Sequence, residues 1–332
     1  MKAIIWTKYG SPAALKLQHI PKPVPKADQI LVKIRATTVT AGDCEMRRLK
    51  LPLSLGIPFR LYAGIHKPKR IKVLGQELAG EVEAIGKDVT KYKVGNPVFG
   101  VTGFGFGAHA EYICLPESPN EMQGALAIKP ENISFAEAAA IPTAGFEALH
   151  FLQDAKLQAG QKVLVFGAGG SIGTFAVQIA KNLDAEITAV DHTTKLTMLR
   201  EIGADHVIDY TQKDFTQNGK RYDVIIDVVG KFGTLRRLRS LAKAGRYYLA
   251  NPGLSHLLLG MWLSLTSKKK LIIKSAVQSQ TALLTLKEMV EAGKLKTVIG
   301  KTFPLEEMAE AHRYAESGQK LGHVSIIVGQ DM

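Results

Sequence analysis

The sequence has little cysteine: Cys44 and Cys114 are its only thiols. Two thiols cannot build a disulfide framework, and they fit a reducing compartment. Long apolar runs are missing too. The most apolar stretch, Leu257 to Leu265, is about half of what a bilayer-spanning helix needs. The first residues, Met1-Lys2-Ala3-Ile4-Ile5-Trp6-Thr7-Lys8, hold too short an apolar run for a secretion signal. A soluble, cytoplasmic protein is therefore expected. No repeat and no low-complexity tract interrupts the chain. Acidic residues are in deficit: 30 Asp and Glu face 43 Lys and Arg, a formal charge of +13. That balance draws anions such as phosphates, nucleic acid or acidic membranes. The excess gathers at Arg47, Arg48, Lys50, Arg60, Lys67, Lys69, Arg70 and Lys72, and again at Lys268, Lys269, Lys270 and Lys274. Such clusters ordinarily form a solvated face or loop rim. No recognised nucleic-acid module accompanies them, so a nucleic-acid partner is not favoured.

What is present points to a two-domain α/β protein. The 332 residues exceed one comfortable core, and 46% hydrophobic with 22% charged residues is ordinary for a folded chain. Up to about residue 125 the pattern is mostly β. Short apolar runs such as Ile30–Ile34 and Val98–Gly100 alternate with Gly and Pro, and Gly103–Gly107 forms a loop before a strand at Ala110–Cys114. Ser134-Phe135-Ala136-Glu137 has capping-box spacing and opens a helix ending near Pro142. Strands are then expected at Lys162–Phe166, Glu186–Val190, His206–Ile208, Asp223–Val228, Arg246–Ala250 and Leu271–Ala276, with helices such as Ile172–Lys181 and Lys195–Ile202 between the earlier ones. Six strands with helical crossovers describe a doubly wound parallel sheet. After a helix at Gln280–Ala292, Lys301–Leu305 breaks the alternation. A helix at Leu305–Glu316 and a strand at Val324–Val328 follow, a tail expected to return to the first domain.

The most informative run is Val163-Leu164-Val165-Phe166-Gly167-Ala168-Gly169-Gly170-Ser171-Ile172-Gly173. An apolar strand enters a glycine turn and a helix opens from it. Glycines let the backbone approach a pyrophosphate, and a helix N-terminus supplies N–H groups and a positive dipole. The spacing is Gly-x-x-Gly-x-x-Gly at 167, 170 and 173; Ile172 breaks the stricter Gly-x-Gly-x-x-Gly form. A purely structural glycine turn is the alternative, and the further βα units argue against it. Asp191 ends the next strand, where an acid accepts from a ribose hydroxyl and repels a 2′-phosphate. Lys195 and Tyr210 follow, and both could hold that phosphate. NADH and NADPH therefore both stay open.

These runs, together with Val73–Val82, Val94–Gly100, Ile141-Pro142-Thr143-Ala144, Ile202–Tyr210 and Asp227-Val228-Val229-Gly230, resemble the medium-chain dehydrogenase/reductase family over nearly the whole chain. The similarity is to its zinc-independent, quinone oxidoreductase-like members. It implies a mostly β GroES-like catalytic domain at 1–127 plus 299–332 and a six-stranded Rossmann nucleotide-binding domain at 128–298. Zinc relatives carry Gly-His-Glu where this chain has Gly75-Gln76-Glu77. They carry Cys-His-Ser/Thr-Asp where it has Thr40-Ala41-Gly42-Asp43. Neither position offers imidazole or thiolate, and Cys44 lies off the ligand position, so no zinc is expected.

The resemblance further implies NAD(P)H as cofactor, with hydride passing to a quinone or to the C=C bond of an α,β-unsaturated carbonyl. Thr40 and Tyr62 become the candidate catalytic donors. Thr143, Gly167, Gly169, Gly170, Ser171, Ile172, Gly173, Asp191, Lys195, Tyr210, Val229 and Asn251 become candidate cofactor contacts. A zinc-free alcohol dehydrogenase or carbonyl reductase is the rival enzyme. A homodimer is expected through the edge at Leu271-Ile272-Ile273. The apolar runs Leu51–Phe59 and Leu257–Leu265 read first as walls of a pocket or subunit interface; with their basic neighbours, peripheral membrane contact is the lesser alternative.

Overall fold

Alternating short strands in the first part of the chain and strand–helix repeats in the second fold into different kinds of sheet. The computed structural model describes residues 1–49, 53–230, 233–274 and 276–329. Its elements begin with β1 (Lys2–Trp6), β2 (Leu15–His19), β3 (Gln29–Thr38), α1 (Ala41–Arg48), α2 (Leu53–Ala63), β4 (Glu77–Ile85), β5 (Pro97–Val101), β6 (Tyr112–Pro116), β7 (Ala125–Ile128) and α3 (Phe135–Ala139). Next come α4 (Pro142–Ala155), β8 (Lys162–Phe166), α5 (Ser171–Lys181), β9 (Glu186–Asp191), α6 (Leu196–Glu201), β10 (His206–Asp209), β11 (Tyr222–Asp227), α7 (Thr234–Arg237), β12 (Leu241–Leu249), α8 (Leu254–Thr266) and β13 (Lys270–Ile272). The last are α9 (Gln280–Glu291), β14 (Ile299–Pro304), α10 (Met308–Glu316) and β15 (His323–Ile327). They group into two units: Met1–Thr143 with Val277–Glu291 and Ile299–Met332, and Ala144–Ala276 with Ala292–Val298.

In the first unit a seven-stranded sheet runs β14-β15-β3-β4-β5-β7, with β6 also paired to β3. Ile30, Val32 and Ile34 alternate along β3 and bury one face into a core with Trp6, Leu78, Val82 and Ile326. The tail returns as expected from the sequence: β15 pairs antiparallel with β3, Ile326 opposite Thr37. It thereby stiffens the strand that leads directly to Thr40.

The second unit is a six-stranded sheet in the order β10-β9-β8-β11-β12-β13, every pair parallel. Val163, Leu164 and Val165 are fully buried, the unbroken apolar run of a strand covered on both faces. Strand order reverses between β8 and β11. A doubly wound sheet opens a crevice at the carboxyl end of such a switch point, and residues 167–170 lie there. The doubly wound sheet and the mostly β partner fold expected from sequence are both present.

Local expectations needed correction. The region read as mostly β contains α1 and α2. The helix opened by Ser134 stops at Ala139, and Pro142 starts a new helix instead of ending one. Proline fits there because the first helical N–H has no intrahelical partner. β12 starts earlier than Arg246. β13 is shorter than Leu271–Ala276, and Ser275 lies outside the described residues, as do Lys50, Leu51 and Pro52 of the basic and apolar runs. Among the described residues no helix is long and apolar enough to cross a membrane.

Candidate active site

The loop after β8 uses its glycines differently. Gly167 has φ +82°, and a Cβ there would lie 2.8 Å from Val229 Cγ2. A Cβ on Gly173 would lie 2.5 Å from Gly167 O and 2.6 Å from Ala168, so this glycine lets α5 pack on the turn. A Cβ on Gly170 would meet nothing nearer than Gly167 O at 3.4 Å. Gly170 therefore has no internal steric need to be glycine, and the space beside it suits a group from outside the chain. Gly170 also caps α5 with no side chain in the way, and Ser171, Ile172 and Gly173 form the helix's opening turn. These residues fit a pyrophosphate.

At the end of β9, Asp191 and Lys195 are both buried, 5% and 7% exposed. They pair with each other, Nζ to Oδ1 at 3.2 Å. Asp191 also accepts from Gly169 N at 2.7 Å and His192 N at 2.8 Å. The Lys195 stem crosses the loop so closely that a Cβ on Gly169 would sit 2.4 Å from its Cδ. Tyr210, 52% exposed, stands nearby with its N–H on Asp191 O at 3.2 Å. Gly169, Asp191, Lys195 and Tyr210 thus form one cluster. A cavity of about 350 Å³ adjoins it, lined by Phe166, Tyr210, Lys213, Arg236 and Arg237 among others.

Val229 and Asn251 meet at the neighbouring strand ends. Val229 lies against Gly167 and donates its N–H to Asp227 Oδ1 at 3.1 Å; Asn251 Nδ2 donates to Val228 O at 3.0 Å. Asp227 is itself locked by Arg237, at 2.8 Å, and by Tyr247 Oη, at 2.5 Å. The buried Asp227–Arg237–Tyr247 triad fixes the end of β11. Sequence reading missed it because Arg237 and Tyr247 belong to other elements.

In the first unit Thr40 caps α1. Its hydroxyl donates to Asp43 Oδ2 at 2.6 Å and accepts from Asp43 N at 3.1 Å. Two residues before it, Thr38 Oγ1 donates to the Glu77 carboxylate, while Glu77 Oε1 accepts from Thr143 N at 2.7 Å. Glu77 is fully buried; that burial, with Asp43 adding to it, pushes its carboxyl up to about 6 against these hydrogen bonds. Asp43 Oδ1 is buried without a partner among the described residues. Thr40 is thus tied to one buried acid, Asp43, and the Thr143 N–H to another, Glu77, neither of which the sequence singled out. Gln76 Nε2 donates to Gly103 O at 2.8 Å. α1 is held from behind by α10: buried Arg47 pairs with Glu316, and Cys44 Sγ lies 3.3 Å from His312 Nδ1. Burial pushes the Cys44 thiol up to about 12 and the His312 imidazole well below its usual range. Tyr62 is elsewhere, 53% exposed on α2 under the Arg70 guanidinium at 5.0 Å. It lines a groove of about 600 Å³ with Thr102, Phe104, Phe106, Ile113 and Met122; Thr40 is not part of that lining.

Residues 26–121 match the alcohol dehydrogenase GroES-like domain, residues 202–325 a zinc-binding dehydrogenase domain, and residues 151–234 the C-terminal domain of alanine dehydrogenase/PNT. A 2-methylene-furan-3-one reductase of Solanum lycopersicum is 30% identical over 98% of this chain and 79% of its own length. The chloroplastic quinone-oxidoreductase QR1 of Triphysaria versicolor is 30% identical over 98% of both chains. The chain belongs to the medium-chain dehydrogenase/reductase family. The solved quinone oxidoreductase of Coxiella burnetii superposes on it with a TM-score of 0.87, at 27% identity and 99% coverage of each chain. One matched family model is described as zinc-binding, yet at the family's ligand positions the Thr40 hydroxyl bonds to Asp43 and Gln76 Nε2 donates to Gly103 O. Among the described residues no group of three or more His, Cys, Asp or Glu is placed to hold a metal.

Proposed function

We propose that this chain is an NAD(P)H-dependent oxidoreductase that reduces a quinone or the C=C bond of an α,β-unsaturated carbonyl without zinc. One contrast carries the proposal: the second unit keeps the space at Gly170 clear, while the first unit commits Thr40 and Gln76 to the protein itself. The names of the two relatives, a furanone reductase and a quinone oxidoreductase, support the substrate class.

When bound, the reduced nicotinamide supplies a hydride to an electrophilic carbon. Gly167, Gly170, Ser171, Ile172 and Gly173 would hold the pyrophosphate; Gly169, Asp191, Lys195 and Tyr210 would meet the adenosine ribose. Thr143, Val229 and Asn251 would border the nicotinamide end. Charge developing on the substrate oxygen needs a hydrogen-bond donor. Thr40 can offer its hydroxyl only by releasing Asp43 Oδ2, and Asp43 then keeps the Thr40 N–H, 2.9 Å away. Tyr62 would act from the exposed groove, as a wall or as a proton source for the enolate.

A homodimer joined at the β13 edge belongs to the same proposal, because an unpaired apolar edge strand is an aggregation hazard. Two free cysteines fit a reducing compartment such as the cytoplasm. Turnover of enones, quinones and simple alcohols with both cofactors tests the proposal. Reduction of enones or quinones should dominate; oxidation of simple alcohols as the fastest reaction would overturn it.

A further inference from the structure

Thr102 carries a buried hydroxyl with nothing to bond. It precedes the short helical turn Gly103–Gly105, where a threonine side chain ordinarily accepts from the N–H groups that follow, yet no such cap bond is made. The residue is 3% exposed, and its Oγ1 has no hydrogen-bond partner among the described residues. Buried hydroxyls are ordinarily satisfied, by the protein or by something bound to it.

Thr102 lines the groove of about 600 Å³ that Tyr62 also lines. Phe104, Phe106, Ile113 and Met122 make much of the remaining wall, and all of these residues belong to the first unit. Among the described residues no Asp, Glu, Lys, Arg or His side chain lines it. Such a groove suits an uncharged, apolar molecule and can offer its oxygen a hydroxyl donor. Its volume lies in the range that drug-sized ligands fill, roughly 300–1,000 Å³, and far exceeds what acrolein needs.

Gln76 fixes both the hydroxyl and the wall. Its carbonyl accepts from Thr102 N at 2.8 Å, and its Nε2 donates to Gly103 O at 2.8 Å. The loop that follows gets little help from local preference, since Phe106 is held at φ +52°, a region that non-glycine residues rarely adopt. The Phe106 ring is buried in the core of the first unit, while Phe104 stays exposed at the groove.

We infer that this groove binds the part of the substrate remote from the reacting carbon, an extended apolar group bearing an oxygen acceptor. Thr102 Oγ1 is its hydrogen-bond donor and Gln76 the positioning residue. The groove's chemistry stands by itself; naming its occupant the substrate rests on the proposed reductase activity. Long or ring-bearing carbonyl compounds are then better substrates than small enones.

Two ligands that differ by a carbonyl against a methylene, 4-butylacetophenone and 1-butyl-4-ethylbenzene, make the test direct. Calorimetry on the full chain without cofactor should show tighter binding of the ketone. Thr102→Val should weaken the ketone about tenfold and the hydrocarbon less than about twofold. Gln76→Met, which keeps the length of the side chain but not its donor, should weaken both about fivefold. Tyr92→Phe deletes a hydroxyl bonded to Leu126 O at 3.0 Å in the same unit, and should leave both within about twofold. The ketone should also compete with an enone in NAD(P)H-dependent reduction. No ketone binding by the parent would overturn the inference. So would an equal loss of both ligands in Thr102→Val, a Gln76→Met no different from Tyr92→Phe, or ketone binding without competition. Ketone binding by a chain that reduces neither enones nor quinones would instead defeat the proposed reaction and leave the groove's ligand chemistry standing.

Discussion

The glycine loop of the second unit and the Thr40–Asp43 and Thr38–Glu77–Thr143 hydrogen bonds of the first solve opposite problems. At Gly170 a side chain is withheld, and what remains is room and a helix N-terminus. Around Thr40 most polar atoms already have a partner inside the protein, and the exceptions among the described residues, Asp43 Oδ1 and Thr143 Oγ1, are buried. One site is preorganised by vacancy, the other by saturation. A ligand enters the first without breaking anything, while a substrate oxygen gains a donor in the second only if a hydrogen bond changes partner.

The sharpest break of this comparison is at the glycines. Gly170→Val should weaken NAD(P)H binding at least about 100-fold, since the new side chain fills the pyrophosphate space. It should cost only about 1 kcal/mol of stability, as a poorer helix cap. Gly173→Val should do the reverse first and unfold the unit, because its Cβ meets Gly167 O at 2.5 Å. Cofactor titration and thermal melts on both variants would separate space for a ligand from space for packing. Unchanged binding by Gly170→Val would remove the loop from the site.

On the saturated side, Thr40→Val should lower kcat/KM by about 100-fold through loss of the donor, while the lost cap costs about 1 kcal/mol. Thr40→Ser should restore most of the rate. A Thr40→Val enzyme with normal kcat/KM and only a lower melting temperature would reduce Thr40 to a helix cap.

Asp191 and Lys195 lie between the two extremes, a saturated pair beside a vacant loop. Asp191→Ser should shift preference toward NADPH and Lys195→Ala toward NADH, each by about tenfold, from a parent that uses both within about a hundredfold. The kcat/KM ratio for the two cofactors measures this. A ratio unmoved by either change would mean that the pair only braces Gly169.

The remaining effect is on stability against pH, not on binding or rate. Glu77, with its carboxyl raised from 4.5 to about 6, favours its acid form in the folded protein. Its contribution is therefore complete below about pH 4.5 and is lost as pH rises through about 6. Glu77→Gln should gain about 2 kcal/mol over the parent well above pH 6 and nothing below pH 4.5. Glu147, raised by burial to about 7, keeps its own pH slope in the second unit as an internal control. A gain that does not vary with pH would place the effect in packing.

Vacancy was easier to read in the sequence than saturation. The strand entering Gly167, the glycine spacing and Asp191 at the end of β9 follow local rules, and the structure puts each where those rules place it. The Thr38–Glu77–Thr143 and Asp227–Arg237–Tyr247 networks join residues far apart in sequence, so no local pattern reveals them. The Asp191–Lys195 pair was legible as two charges four residues apart, but its burial depends on how Lys195 crosses Gly169. α1 and α2 were not read from the sequence; they are helical although Gly42, Gly56 and Pro58, residues disfavoured in helix interiors, lie within them.

The central claim is hydride transfer without zinc, and it turns on Thr40 and Gln76. The direct measurement is kcat/KM for NAD(P)H-dependent enone reduction before and after exhaustive chelation, with metal content determined on the same samples. The account predicts no stoichiometric zinc and an unchanged kcat/KM. About one zinc per chain, with activity lost on its removal and restored on its return, would contradict it.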